Sequence, residues 1–543
     1  MRRVSQVVPI LVRNLVLGLD EPEESLRQRA ARRLKVPPEA IRLYAPVHRA
    51  LDARRTEAIH FVYHVELALH ESHSAERARV QRLHSPHVEF LAPRSAAPVR
   101  LGRRPLPERP VVIGFGPAGM FAALRLAEQG YCPRVLERGR DVRRRHYDIL
   151  QRYYREREFD PTSNLLFGEG GAGSYSDGKL YTRVNDPLVR TVLELFYRDG
   201  ADPHILIDAK PHVGSDKLPT ICRHIRERIE RHGGQVRFEA CVDDFEFNNG
   251  HVAALRVNGE RVAVGPVILA IGHSARDTIR RLAARGVQID GKPFQIGVRI
   301  EHPQELVDRW QYGSCANCPG LPPSDYHLVA KGAAGSGDLY SFCMCPGGEI
   351  LPTNESAGEI ATNGASRSRR NGPFANAGLV ITVTPEQVGG DALAGLAYQE
   401  RWERLAFEKT GGSYRVPVQR ATDFLAGRDS DGTLETSFPL GGQWCAIRAV
   451  IPPDVSAALQ RGLPLLDARL PGFAGPDAMI TAPETRASTP VRITRDPVTR
   501  AALGIENLYP AGEGAGYAGG IISAAIDGLK TADRIIGTYA APR

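Results

Sequence analysis

A glycine-rich turn between an apolar strand and a helix constrains the fold of this chain more than any other feature. The segment VVIGFGPAGMFAALRLAEQGYCPRVLE opens with the β-branched run Val111 to Ile113, which is typical of a buried parallel strand. Gly114, Gly116 and Gly119 follow as G-x-G-x-x-G. The first glycine permits a sharp turn, the second lets a pyrophosphate approach the backbone, and the third lets the helix pack on the strand. The segment therefore predicts a βαβ unit that binds a dinucleotide.

An acidic residue completes this unit. Gly130 ends the predicted helix, Arg134 to Leu136 form the second strand, and Glu137 stands at the end of that strand. At this position an acid accepts the ribose hydroxyls of an adenine nucleotide. The helix N-terminus adds free N–H groups and the positive end of its dipole. A plain βαβ core with chance glycines is the alternative, and the combination of strand, helix, second strand and acid favours the nucleotide site.

A second glycine-rich stretch follows at 164–180, with the sequence NLLFGEGGAGSYSDGKL. So many glycines cost backbone entropy, and they are used where the backbone must turn sharply or approach a ligand. The stretch also carries the polar side chains of Ser176, Asp177 and Lys179. Such a loop suits a flat ring with polar edges, such as isoalloxazine. A flexible surface loop is the alternative.

The C-terminal part returns to the same pattern. The predicted strand Asn507 to Ala511 leads into GEGAGYAGG and then into a helix from Ile521 to Ile536. Glu513 can accept a sugar hydroxyl, and the helix start at Gly519 and Gly520 can face a phosphate or the pyrimidine edge of a flavin. NAD-only folds lack the long glycine loop and this terminal motif, so the two together favour FAD over NAD.

The middle of the chain supplies one more strand of the same type. The apolar run Gly265 to Ile271 ends at Gly272, and a glycine at the carboxyl end of a parallel strand allows close approach to a cofactor. Residues 290–485 carry mixed strands and loops without a second G-x-G-x-x-G between a strand and a helix. We therefore expect no dedicated nicotinamide-nucleotide domain.

The N-terminal residues 1–107 predict a separate, small, basic α/β domain. Its predicted elements are strands at 9–19, 41–44 and 59–69, a helix at 23–34, and a linker rich in Pro, Arg and Ala at 92–107.

Length and composition limit the remaining possibilities. A chain of 543 residues predicts two or three domains, and 42% hydrophobic with 24% charged residues is ordinary for a soluble protein. The longest apolar stretches fall short of a membrane span and no signal peptide is recognised, so we expect a cytoplasmic protein without a membrane partner. The net charge of +8 allows an anionic partner such as nucleic acid, but a solvated arginine-rich surface is favoured.

Eight cysteines in so long a chain do not form a disulfide scaffold. Cys315 and Cys318 form C-x-x-C, and Cys343 and Cys345 form C-x-C. The four thiols could bind zinc, or the first pair could be a redox couple. Unremarkable thiols are the favoured interpretation, and we predict no metal site.

These motifs together resemble a known family. GFGPAG with Glu137, LAIGHSA, and YPAGEGAGYAGG before the last helix resemble the glutathione-reductase-like FAD/NAD(P)-binding superfamily. More narrowly, GEGGAGSYSDGKLYTR, SFCMCPGGEI, ETRASTPVRI and NLYPAGEGAGYAGGIISAAIDGL resemble bacterial and plastid uncharacterised FAD-dependent dehydrogenase-like oxidoreductases. The resemblance covers almost the whole chain. The Cys315-x-x-Cys318 pair departs from the pattern, which weakens any catalytic role for it.

The resemblance implies an α/β fold in three parts. A Rossmann-type FAD-binding domain with a β-meander comprises 108–289 and 486–543, a mixed α+β substrate domain at 290–485 is inserted in it, and 1–107 form the N-terminal domain. The implied function is an FAD-dependent oxidoreductase that passes hydride or electrons between a small molecule and the flavin. NAD(P)H stays open as a transient reductant. The alternatives are an FAD-dependent tRNA-modifying enzyme and a non-catalytic FAD-binding partner protein. Substrate, electron acceptor and oligomeric state are left open.

Candidate site residues follow from the motifs and the resemblance. A cation such as Lys179 near the flavin would stabilise the anionic reduced ring. The candidate catalytic residues are Lys179, Asp177, Ser176 and Arg486. The candidate FAD-binding residues are Gly114, Gly116, Pro117, Ala118, Gly119, Glu137, Arg138, Gly171, Gly173, Ser174, Gly272, Gly512, Glu513, Gly519, Gly520 and Ile521.

Overall fold

The computed structural model describes residues 9–91, 100–335 and 337–542. The chain divides into two compact units. The first comprises the described residues of Met1–Pro98 with Asp202–Pro211 and Asp308–Ser324, and the second comprises those of Val99–Ala201, His212–Val307 and Asp325–Arg543. The fold is mixed α/β, as predicted. Within the described ranges, no helix combines the length and the apolar character that crossing a bilayer requires.

The bounds of the elements are as follows. The strands are β1 Ile10–Gly18, β2 Ile41–Asp52, β3 His60–Leu69, β4 Val88–Phe90, β5 Val111–Ile113, β6 Arg134–Leu136, β7 Gln235–Arg237, β8 Val242–Asn248, β9 His251–Val257, β10 Glu260–Ala263, β11 Val267–Leu269, β12 Ile289–Gly291, β13 Phe294–Pro303, β14 Val329–Ala334, β15 Gly337–Cys345, β16 Gly348–Pro352, β17 Thr362–Ser366, β18 Phe374–Val383, β19 Val416–Arg420, β20 Gly442–Trp444, β21 Met479–Glu484, β22 Val491–Ile493 and β23 Leu508–Pro510. The helices are α1 Ser25–Leu34, α2 His73–Leu83, α3 Pro117–Glu128, α4 Val142–Tyr147, α5 Leu188–Arg198, α6 Leu218–Arg231, α7 Arg276–Ala284, α8 Gln304–Tyr312, α9 Ala394–Lys409, α10 Ala421–Ala426, α11 Pro453–Asp467 and α12 Ile521–Thr538.

The first unit contains an antiparallel sheet in the order β2-β3-β1-β4. Helix α1 buries Leu26, Ala30, Ala31 and Leu34 in the core of this unit, at the spacing of one helix face. The three predicted strands and the predicted helix are present, although β2 runs to Asp52, eight residues past its predicted end. Helix α2 and strand β4 were not predicted. The first eight residues of the predicted linker at 92–107 lie outside the described residues.

A five-stranded parallel sheet organises the second unit, in the order β23-β11-β5-β6-β7. Its register aligns Ile113 of β5 with Leu269 of β11 and Leu136 of β6. The carboxyl ends of these strands therefore lie at one edge. The residues that follow them along the chain, among them Gly114 and Glu137, are brought together there although they are far apart in sequence.

Two glycines allow α3 to pack closely on its neighbours. A Cβ at Gly119 would lie 2.0 Å from the carbonyl oxygen of Gly114, and a Cβ at Gly528 of α12 would lie 2.0 Å from that of Ala118. Any larger residue would push α3 away from β5 or from α12, because protein interiors leave no room for such an overlap.

Two further sheets complete the second unit. Strands β8, β9 and β10 form the predicted antiparallel meander. A seven-stranded sheet runs in the order β14-β15-β18-β13-β21-β19-β20, with β19 and β20 parallel and the other neighbours antiparallel. Two-stranded pairs β12-β22 and β16-β17 accompany them.

The seven-stranded sheet buries an acid that should make stability depend on pH. Glu301 of β13 is 1% exposed, and burial raises its pKa to about 7, although Ser437 donates to its carboxylate. Between about pH 4.5 and 7 the folded chain keeps this proton while the unfolded chain has lost it, so stability falls as pH rises. We expect Glu301→Gln to weaken the loss of stability between pH 5 and 8, by up to about 3 kcal/mol. Urea unfolding of both proteins across this pH range measures the free energy of unfolding and its dependence on pH.

The comparison variant for this prediction is Glu408→Gln, an exposed position on α9. It should keep the pH dependence of the wild type. Equal pH slopes for Glu301→Gln and the wild type would mean that Glu301 does not hold its proton in the folded state.

Candidate functional site

One large cavity, of about 820 Å³, lies in the second unit at the carboxyl edge of the parallel sheet. Segments that are distant in sequence meet in its wall: the turn after β5, the glycine loop around residue 173, the turn after β11, and the turn between β23 and α12. This volume lies within the range of about 300–1,000 Å³ typical of small-molecule sites.

The turn after β5 is shaped by glycine. Gly114 has φ +93°, and a Cβ there would lie 2.4 Å from the carbonyl oxygen of Ala270. Gly116 differs. The atom nearest to a Cβ added at Gly116 would be the Cα of Gly171, at a distance of 3.9 Å. Gly116 therefore has no steric need to be glycine within the protein. Its lack of a side chain leaves free space in the cavity wall, directly before the N-terminus of α3.

Glu137 is 4% exposed and faces the cavity from the end of β6. Its carboxylate accepts hydrogen bonds from the backbone N–H groups of Phe115 at 2.8 Å, Gly139 at 3.0 Å and Gly168 at 2.9 Å. A carboxylate has about four lone-pair positions, so one acceptor position is left over. The three N–H groups fix the carboxylate in place, and the remaining position can receive a ligand hydroxyl.

Two charged residues of the glycine loop pair at the cavity wall. Lys179 Nζ lies 3.1 Å from Oδ2 of Asp177, a carboxylate that also faces Arg370 at 3.3 Å and His212 at 3.8 Å. Burial alone would raise the pKa of Asp177, but Lys179 and Arg370 lower it. Burial lowers the pKa of His212 to about 4, with Arg370 adding to the effect. At neutral pH the cluster therefore holds an ionised Asp177, a protonated Lys179 and a neutral His212.

The cavity wall also contains a second acid, on the C-terminal turn, and a lysine, which follows β12. Glu513 accepts a hydrogen bond from the Thr489 N–H at 3.1 Å, and burial raises the pKa of its carboxyl. Lys292 donates to the Thr489 carbonyl at 3.0 Å, and burial lowers its pKa although Glu513 opposes this. Gly520, with φ +88°, forms the N-cap of α12.

Arg486 lines the cavity, and its guanidinium group is bound by two glutamates. It is 3% exposed and donates to Glu355 and Glu403, both at 2.8 Å. Glu403 also accepts two hydrogen bonds from Arg276, at 2.8 and 3.0 Å. The positive charge of Arg486 is thus largely compensated by buried carboxylates, and the cluster fixes the position of its side chain.

The structure brings most of the predicted site residues together. The predicted residues that line the cavity are Gly114, Gly116, Pro117, Ala118, Glu137, Gly171, Gly173, Ser176, Asp177, Lys179, Gly272, Arg486, Gly512, Glu513, Gly519, Gly520 and Ile521. Three predicted cofactor residues do not line it. Gly119 packs behind the turn, Ser174 donates to the Glu169 carbonyl at 2.7 Å, and Arg138 pairs with Asp277 at 3.0 Å. What each residue does there stays a prediction.

His273 and Lys292 of the cavity wall were not among the predicted site residues. His273 follows Gly272 after β11, and burial lowers the pKa of its imidazole to about 3. Its position directly after a parallel strand was a usable signal. Lys292 follows the short strand β12, and nothing in its local sequence indicates a site.

The two cysteine motifs differ in the structure. Cys315 and Cys318 form a disulfide, so the interpretation of these two as unremarkable thiols was wrong. Cys343 and Cys345 are free, and Cys343 lines the cavity. Among the described residues, no three His, Cys, Asp or Glu side chains are grouped to hold a metal ion.

Distant likenesses exist among solved structures. L-proline dehydrogenase from P. horikoshii is 12% identical with a TM-score of 0.36, covering 80% of this chain and 94% of that one. Glycine oxidase from Bacillus cereus ATCC 14579 is 11% identical with a TM-score of 0.35, covering 79% and 94%. At this distance the likenesses carry no argument about substrate.

Family comparisons reach further. Residues 293–487 match the family described as FAD-dependent protein, C-terminal domain-like, and residues 10–68 match a domain of unknown function, DUF8436. An uncharacterised protein of Clostridium beijerinckii (strain ATCC 51743 / NCIMB 8052) is 38% identical over 537 residues, covering 98% of this chain and 100% of that protein. The chain therefore belongs to the family of that Clostridium protein.

Proposed function

We propose that this protein is an FAD-dependent oxidoreductase acting on a small molecule. The observation that carries the proposal is the single cavity in which the G-x-G-x-x-G turn, the glycine loop and the C-terminal glycine turn meet. The match of residues 293–487 to the C-terminal domain of FAD-dependent proteins supports the same cofactor. In the proposed domain assignment, 108–289 and 486–543 form a Rossmann-type cofactor domain and 290–485 the substrate domain.

The residues present fit FAD. The open space at Gly116, where a Cβ would fill the approach to the backbone, suits a pyrophosphate at the N-terminus of α3. The remaining acceptor position of Glu137 suits the adenosine ribose. Glu513 suits a ribityl hydroxyl, and the N-terminus of α12 suits the electron-rich edge of the flavin. These residues would hold the cofactor along the carboxyl edge of the parallel sheet.

Bound FAD would supply two-electron transfer, and the chain would supply orientation and charge. Lys179 holds its proton at Nζ, because Asp177 faces it at 3.1 Å, and so presents a fixed positive charge to the cavity. His273 presents a neutral imidazole, since burial lowers its pKa to about 3. The buried carboxylates around Arg486 hold that side chain in one position. A substrate would lie between the glycine loop and the wall formed by residues 342–364.

An absorption spectrum of the purified protein tests the proposal, followed by anaerobic titration with NADPH and then NADH. We expect a flavin spectrum that survives gel filtration. Bleaching by one nucleotide would identify it as the reductant. A flavin untouched by both would indicate either reduction by the substrate itself or a non-catalytic FAD. A protein that binds no flavin, even after incubation with excess FAD, would contradict the proposed function.

A further inference from the structure

Two free thiols lie at the cavity, one in its wall and one behind it. Cys343 lines the cavity, whereas Cys345 is fully buried and does not line it. Lys179 Nζ lies 3.7 Å from the sulfur of Cys343 and 3.4 Å from that of Cys345. One buried ammonium group is therefore shared between two sulfurs, of which only one can meet a ligand.

Local backbone geometry brings the two thiols together. In a regular strand, residues i and i+2 lie on one face with Cα atoms about 6.6 Å apart, near the upper limit for a disulfide. Strand β15 is irregular here, since its register against β18 shifts between Phe342 and Cys345, and Cys343 has φ +45°. A non-glycine residue in the left-handed region is uncommon and clusters at functional sites. The Cys345 thiol donates a hydrogen bond to the Cys343 carbonyl oxygen at 3.2 Å.

Arg299 holds this turn from the side away from the cavity. Its guanidinium donates to the carbonyl oxygen of Cys343 at 2.7 Å and to the sulfur of Cys345 at 3.7 Å. Arg299 is itself fixed by Glu484 at 2.7 Å, and both are fully buried. Two cations, Arg299 and Lys179, thus surround the two sulfurs.

The electrostatics separate the two thiols. The Cys345 side chain, aided by Lys179 and Arg299 and opposed by burial, lowers the pKa of Cys343 well below its usual value. Burial raises the pKa of Cys345. At Cys222, by contrast, burial raises the pKa to about 12, although Ser174 and Arg145 lower it. The proton is therefore lost more readily from Cys343, at the cavity, than from Cys345 behind it.

We propose that Cys343 and Cys345 are a redox-active dithiol that exchanges with small disulfides entering the cavity. The Cys343 thiolate attacks one sulfur of R–S–S–R, forming Cys343–S–S–R and releasing RS⁻. Cys345 then gives its proton to the released RS⁻ and attacks the Cys343 sulfur, which expels the second RS⁻. The net change is oxidation of the protein dithiol to a disulfide and reduction of the ligand disulfide to one thiol and one thiolate.

This inference goes beyond the proposed function, because it needs the cavity and the thiols but not the cofactor. In a flavoprotein the couple would add a second two-electron carrier to the same cavity. The charged and titratable groups around the thiolate are Cys345, Lys179, Arg299, Asp177, Glu484 and Tyr181.

The test is reaction of the purified protein with hydroxyethyl disulfide, followed by rapid alkylation with iodoacetamide and peptide mass spectrometry. In the wild type we expect the peptide carrying both cysteines to lose two hydrogens and gain no adduct. Cys345→Ser should accumulate the mixed disulfide on Cys343. Cys343→Ser should leave Cys345 reduced. Cys343 should react at least about tenfold faster than Cys132, a free and partly exposed thiol.

The Lys179→Gln variant tests whether the ammonium group of Lys179 activates Cys343 or only supports the local structure. Removing the ammonium should slow the reaction of Cys343 and move its pH dependence upward, because the thiolate loses its counter-charge. Cys132→Ser should behave as the wild type. A Cys343 that reacts no faster than Cys132, or a wild type that retains the adduct as Cys345→Ser does, would overturn the proposal. Flavin absorbance of the same samples reports the cofactor separately, so failure of one proposal leaves the other distinguishable.

Discussion

Gly116→Val is expected to abolish flavin binding while leaving the fold in place. A Cβ at Gly116 meets its nearest neighbour only at 3.9 Å, and its φ of −77° suits any residue. A valine side chain would instead project into the space where a pyrophosphate must approach the backbone. We expect a loss of affinity of at least about a hundredfold, equivalent to about 2.7 kcal/mol. The measurement is the flavin-to-protein absorbance ratio after gel filtration, with the melting temperature recorded on the same sample.

Gly119→Val is the comparison variant, because it makes the same substitution at a glycine of the same motif that has no free space. Its Cβ would lie 2.0 Å from the Gly114 carbonyl oxygen, so α3 would have to move away from β5. Such overlap costs about 3 kcal/mol or more, a large part of a typical total stability of about 5–15 kcal/mol. We therefore expect this variant to lose stability and flavin together. Gly537→Ala on α12, where the nearest atom is 3.7 Å away, is the neutral control.

The two glycines separate binding from folding. If Gly116→Val retains flavin as the wild type does, the turn after β5 is not the phosphate site. If instead Gly116→Val melts as early as Gly119→Val, the space at Gly116 serves packing and not a ligand.

Glu403→Gln is expected to produce the second large effect, on stability. Glu403 is fully buried and accepts hydrogen bonds from Arg276 and Arg486, which are 1% and 3% exposed. Burial alone would raise its pKa, but the two arginines lower it, so Glu403 is ionised at neutral pH. The amide keeps the shape and removes the charge, which leaves two buried guanidinium groups less compensated. Breaking a buried pair in this way costs about 3–5 kcal/mol.

The lower end of that range is the expected value, because Glu355 and Glu359 also face these arginines. Urea unfolding at pH 7 measures the loss. Glu408→Gln, five residues along the same helix and exposed, should change stability by no more than about 0.5 kcal/mol. Since a lowered acid pKa contributes stability that is lost as pH falls, the difference between Glu403→Gln and the wild type should shrink under strongly acidic conditions. If Glu403→Gln were as stable at pH 7 as Glu408→Gln, the stability of the cluster would not depend on the charge of Glu403.

The sequence by itself determined the local elements of the cofactor half. Strands β5, β6, β11 and β23 and helices α3 and α12 lie within a few residues of their predicted bounds. Their signals are local: an apolar β-branched run, a glycine turn and a glycine stop. The same local chemistry identified Gly114, Glu137, Gly173 and Glu513 as cavity residues, because turns that follow parallel strands lie at one edge of the sheet.

Only the tertiary structure decided what depends on contacts between distant segments. That Gly119 packs behind the turn while Gly116 opens on the cavity follows from the position of α3 against β5. That Lys179 meets Cys343 and Cys345, and that Arg486 is compensated by Glu355 and Glu403, follows from pairings across about 80 to 170 residues of chain. Periodicity and turn chemistry act over a few residues, whereas a charge or a thiol takes its properties from the neighbours that folding brings to it. The physical reason is that electrostatic and packing energies depend on distance in space and not on separation along the chain.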